Sequence, residues 1–294
     1  GDAGGNGQGI MDISIINWSD KRKILLYVLY IAGITIFFVF IRFPGDAVRK
    51  FVENNVQRLH PDVSMTVQSA GLSPLLKIRL KDSTLYYQGN VLAQAPTLDV
   101  QPSLLSILGR PAVSFKARLF DGVVRGRLKR EKDGTAYLGV RFKRLKMDKM
   151  GLENYFSRYL PAGIGQGEVT LDIGSDNIKG ELTVLVENGD MAFKSPVFGL
   201  NNLELGTVNV TITMEDEKVI IERFEVNGPQ VSVSLTGDIR VRSPYTDSVV
   251  AISGFLTPQS SLIAQLSKTF PVETLLKKTP DKNGFPVKIS GTIG

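Results

Sequence analysis

Residues able to do chemistry are sparse in this chain, and their types exclude several reaction classes. The single histidine, His60, stands before Pro61 at the end of an amphipathic stretch. One imidazole can move a proton near neutral pH, but a capping or exposed histidine is the simpler reading, and a multi-histidine metal centre is excluded. There are no cysteines, which excludes thiolate chemistry and disulfides. The carboxylates Glu168, Asp172, Glu181 and Glu187 fall within one hairpin pattern, where exposed-face solubility explains them without an acid–base pair. The glycines of GIGQG lack the G-x-G-x-x-G spacing of a phosphate-binding turn. Nucleophile-elbow and H-E-x-x-H patterns are absent. The residues therefore point away from an enzyme and name no catalytic residue, metal ligand or cofactor.

Basic residues supply the other chemical signal. The formal net charge is +6, and much of it is clustered. Arg125, Arg127 and Lys129 recur at every second position, and Arg141 and Lys143 do the same on the next arm. In strands, that spacing puts each set on one face, so neighbouring arms form a positive stripe. Anionic lipid head groups or an acidic partner protein suit such a stripe, with an ordinary solvated face as the alternative. Nucleic acid is not expected, because the chain reads as extracytoplasmic.

The elements that carry these residues are mostly strands. In GEVTLDIGSDNIKGELTVLVENG, Val169, Leu171 and Ile173 alternate with Glu168, Thr170 and Asp172, and the second arm repeats the pattern. Period-two alternation marks a strand half buried and half wet. Thirteen such segments are predicted between Val63 and Ile293, with YYQGN, FDGV, KDGT, GSDN and MEDEK as turns. Short links between neighbours predict an antiparallel meander. The arm containing Val231, Val233, Leu235, Ile239 and Val241 supplies a candidate apolar groove. Three interruptions, PSLLSILGRP, MDKMGLENYFSRYLP and SSLIAQLSKTFPVETLLKK, read as short amphipathic helices.

The amino-terminal part differs. Residues 1–20 read as a flexible cytoplasmic tail, in which the glycine-rich stretch before Met11 carries no apolar period. Residues 21–43 read as a transmembrane anchor, in which Ile24, Leu25, Leu26, Val28, Leu29, Ile31, Ile34, Ile36, Phe37, Phe38, Val39, Phe40 and Ile41 form a run free of charge. About 20 residues at about 1.5 Å each match a hydrocarbon core of about 30 Å. Lys21, Arg22 and Lys23 precede the run, and Arg42, Arg49 and Lys50 follow it, so basic residues leave the orientation open. The short tail and large remainder favour the tail inside. Residues 44–61 read as an amphipathic helix, and residues 62–294 as one elongated β-rich periplasmic domain, mainly antiparallel, twisted and groove-like.

The order of these parts resembles a known family. The telling segment is PSLLSILGRPAVSFKARLFDGVVRGRL, from Pro102 to Leu128, in which a short helix leads into two strands joined at Asp121–Gly122; VSVSLTGDIRV at Val231–Val241 echoes it. The layout is similar to protein N of the type II secretion system in its long single-anchor form, and more distantly to AsmA-like envelope proteins. The first resemblance implies a noncatalytic component of the bacterial inner membrane, assembling with inner-membrane or secretin proteins of that apparatus. The second implies a β-groove whose apolar face binds or transfers phospholipid.

Overall fold

The computed structural model describes residues 18–59, 62–73, 77–103, 111–131, 133–154, 156, 158–174, 177–242, 245–268 and 284–292. The chain divides into two units, Gly1–Pro44 and Gly45–Gly294.

In the first unit, helix α1 runs from Trp18 to Ile41. It covers the apolar run, but the expectation of a transmembrane anchor is corrected. Among the described residues no helix is long and apolar enough to cross a membrane. The expected anchor continued past the charge-free run to Phe43, whereas the helix stops at Ile41, ahead of Pro44. Polar Thr35 interrupts that run, its hydroxyl donating to the Ile31 carbonyl at 2.8 Å.

The second unit opens with α2, Gly45–Leu59. Asp46 sits in its first turn and Arg58 in its last, each at the end where the helix dipole favours its sign. Thirteen strands follow: β1 Val63–Ser73, β2 Lys77–Tyr87, β3 Asn90–Pro102, β4 Ala112–Leu119, β5 Gly122–Arg130, β6 Ala136–Lys146 and β7 Tyr159–Ile173. After these come β8 Ile178–Val197, β9 Leu200–Glu215, β10 Lys218–Asn227, β11 Val231–Arg240, β12 Val249–Pro258 and β13 Phe285–Thr292. They form one sheet in strict sequence order, each strand antiparallel to its neighbours. The expected meander is present.

Turn chemistry fixes that order. Phe198 and Gly199, with φ of 51° and 80°, close β8 onto β9. Two consecutive left-handed residues give the twist that tight hairpins need. One edge of the sheet is covered. The backbone N–H of Val67 on β1 donates to Glu53 Oε1 of α2 at 2.9 Å, satisfying a group that an edge strand would leave open.

The expected helices fare differently. Residues 104–110 and 269–283 lie outside the described residues, as do His60 and Pro61. Among the described residues, the middle interruption forms two 3-10 turns, Met147–Lys149 and Leu152–Asn154, before β7 begins at Tyr159. The last forms a short helix, α3, from Ser260 to Leu266. Leu262 of α3 packs with Val186, Val208, Val226 and Val231, a buried cluster on β8–β11. Gln230 latches α3 to the sheet: its Oε1 accepts from the Glu204 N–H at 2.7 Å, and its Nε2 donates to Gln265 at 3.2 Å.

Candidate functional site

Strand register sorts the side chains onto two unlike faces. Starting at Leu72 and moving strand by strand, the cross-strand partners are Ile78, Val100, Phe115, Gly126, Val140, Val169, Leu182, Ile212, Ile221, Gly237, Ile252 and Ile289. The row crosses every strand and contains no polar side chain. A second row does the same through Ala70, Leu80, Leu98, Ala117, Val124, Phe142, Gly167, Val184, Val210, Phe224, Leu235, Gly254 and Val287. Thirteen strands at about 4.8 Å spacing make these rows roughly 58 Å long.

Most of this face is half-buried. Leu182, Ile212, Ile221 and Leu235 are partly exposed, and Ile289 is 50% exposed. Among the described residues, full burial falls at a few places, such as Leu80 and the cluster beneath α3. Two glycines in the rows face an aromatic ring on the next strand: a Cβ on Gly126 would meet the Phe115 ring, and one on Gly167 would meet Phe142 as well as the Thr183 backbone. An aromatic ring lying over a facing glycine keeps such a row continuous.

Of the residues expected to form an apolar groove, Val231, Val233, Leu235 and Ile239 share this face on β11. Val231 is buried in the cluster under α3, and Leu235 pairs with Phe224 and Gly254. Val241 lies past the end of β11 and is 40% exposed.

The opposite face is charged. Its central row reads Arg79, Asp99, Lys116, Arg125, Arg141, Glu168, Thr183, Thr211 and Arg223. Arg79 forks onto Asp99 at 2.7 and 3.1 Å, and Arg141 Nε reaches Glu168 at 2.8 Å. The first contact holds the Asp99 carboxyl below its ordinary range, chiefly through the Arg79 hydrogen bond. Between these two pairs, the face hollows into a concavity of about 1100 Å³. All five residues of the expected positive stripe line it: Arg125, Arg127, Lys129, Arg141 and Lys143. Lys116 and Lys77 were not expected there. Lys116 alternates with Ser114 and Arg118 in SFKAR, so strand period alone could have placed it on this face.

At the far end of β4 and β5, Asp121 accepts from Lys146 at 2.8 Å and Lys149 at 2.7 Å. These two hydrogen bonds lower its pKa to about 2. The hairpin carboxylates do not converge: Glu168 serves Arg141, and Asp172 stands opposite Lys179 on β8. Among the described residues no group of three or more His, Asp or Glu side chains could hold a metal ion. No family model, curated protein or solved structure matches the chain.

Proposed function

We propose that this chain is a noncatalytic lipid-binding protein of the cell envelope, in which acyl chains lie against the apolar face of the sheet. The observation that carries this reading is the pair of unbroken apolar rows across all thirteen strands. A single sheet must cover such a face with helices, a second layer, a partner or lipid. Among the described residues, α3 covers the part over β8–β11. Each methylene removed from water against the remainder contributes about 0.8 kcal/mol. A lipid with two long chains therefore gains enough from this surface to offset its lost freedom. Native mass spectrometry of the purified full-length chain tests the reading: phospholipid should travel with the folded protein and be removed only by detergent exchange. A protein free of lipid that takes up none when mixed with phospholipid would overturn it.

A second reading, assembly within a type II secretion apparatus, follows the resemblance in Pro102–Leu128. The far edge of the sheet favours it. Among the described residues, β13 pairs only with β12, and an open edge accepts a strand from another protein. Co-purification of secretin or inner-membrane components, lost when proline interrupts β13, would distinguish this reading from lipid binding.

A further inference from the structure

The charged trough on the polar face is not used by lipid bound to the opposite one. We propose that it is a docking site for an extended, acidic segment of a partner protein. The cations form a grid. Arg125, Arg127 and Lys129 succeed one another along β5, with Lys116 on β4 and Arg141 on β6 flanking Arg125 in register. Alternate residues of a strand stand about 6.7 Å apart, and neighbouring strands about 4.8 Å. A polypeptide in extended form carries side chains on one side at that same 6.7 Å interval. Acidic residues at every second position thus meet Arg125, Arg127 and Lys129 one for one.

Most of these cations are available. Arg141 holds Glu168, but among the described residues Lys116, Arg125, Arg127 and Lys143 have no carboxylate within ion-pair distance. The trough is concave, about 1100 Å³, and so suits a chain lying in it.

Charge polarity along the sheet decides between anionic occupants. Residues 77–149 contain sixteen Lys and Arg against six Asp and Glu, whereas residues 150–227 contain five against thirteen. On the polar face the basic positions of β4–β6 adjoin Glu168 and Asp172 of β7, Glu181 of β8 and Glu215 of β9. A flat anionic bilayer laid on the polar face would meet both halves and be repelled by the second. A narrow segment confined to the trough meets the first alone. Single-stranded nucleic acid would want stacking rings. Among the described residues of β4–β6, the aromatic on this face is Tyr137, and Lys129 Nζ already lies 5.6 Å from its centroid.

The test uses the full-length chain and a fluorescein-labelled peptide alternating Glu with Ser, followed by fluorescence anisotropy. A second peptide of equal composition has its glutamates grouped in one block. The alternating peptide should bind more tightly, and its Kd should rise roughly tenfold or more between low and moderate salt. Arg125→Gln/Arg127→Gln should weaken it by roughly tenfold or more, while Arg125→Lys/Arg127→Lys retains most of the affinity. Lys179→Gln/Lys218→Gln, on the acidic half, should change nothing. Equal binding of the two peptides, or indifference to the Gln pair, would overturn the proposal. So would stronger capture of phosphatidylglycerol vesicles or oligothymidylate through Arg125 and Arg127.

Discussion

Arg125 on β5 and Arg141 on β6 stand directly opposite each other in the cross-strand register, and Lys116 stands on the other side of Arg125. Three cations abreast on an exposed face oppose strand pairing, since like charges in facing positions destabilise a sheet. Glu168 offsets one of them through Arg141 at 2.8 Å, leaving Arg125 between two cations. Arg125→Gln should therefore stabilise the isolated protein by a few tenths of a kcal/mol, read as a higher urea midpoint with an unchanged slope. A loss of stability would mean that Arg125 is held by contacts other than its cationic neighbours.

Asp121 gives a prediction in acid. Its pKa is lowered from 3.8 to about 2 by hydrogen bonds from Lys146 and Lys149. A depressed carboxylate contributes stability that is fully present above its unfolded value and disappears as pH falls through the folded one. Between about pH 5 and pH 2, Asp121→Asn should lose less stability than the parent chain. Thermal unfolding at several pH values checks this; parallel curves for the two proteins would show that the Asp121 pairs contribute nothing. All three groups are exposed, so added salt should shrink the difference.

Phe115 lies over Gly126 on the apolar face, where an added Cβ would meet the ring. Gly126→Val should destabilise the sheet by about 1–3 kcal/mol through overpacking. Combining it with Phe115→Ala should restore part of that loss, because the two substitutions share one space. Additive losses in chemical denaturation would show that the ring and the glycine are not coupled.

Two aspartate substitutions on the same face separate packing from lipid contact. Val226 is 3% exposed within the cluster under α3, so Val226→Asp buries an unpaired charge and should cost about 3 kcal/mol or more. Leu235 is only half-buried, so Leu235→Asp should cost about 1 kcal/mol and leave the fold intact while bound phospholipid falls. Both proteins are followed by denaturation and by phosphate analysis. Unchanged lipid in a folded Leu235→Asp protein would place acyl chains elsewhere.

The strands were legible because alternation survives wherever one face is wet: Glu168–Ile173 reads the same in the sequence and in β7. Their lengths were not. β7 begins at Tyr159, where Pro161, Gly163, Gly165 and Gly167 erase the alternating pattern. β8 runs through an irregularity near Gly189 to Val197, past the point where the period first slips. Charge spacing brought out Arg125, Arg127 and Lys129, since a strand's own period places them. Register between strands could not be read, because it depends on turns and bulges such as that between Phe142 and Leu145. For that reason the position of Lys116 directly beside Arg125 and the continuity of the apolar rows emerge only from the fold. The transmembrane expectation rested on the length of a charge-free apolar run, and among the described residues no helix is both long and apolar enough to sustain it.

Neighbouring residues on β9 offer the most direct measurement of the central claim. Ile212 belongs to the first apolar row, and Thr211, one residue before it, belongs to the polar face. A photoreactive benzophenone side chain placed at each position in turn, in protein carrying radiolabelled phospholipid, reports which face touches acyl chains. Lipid binding at the apolar face predicts strong labelling from position 212 and little from position 211. Equal labelling from both positions, or none from 212 in the folded protein, would contradict it.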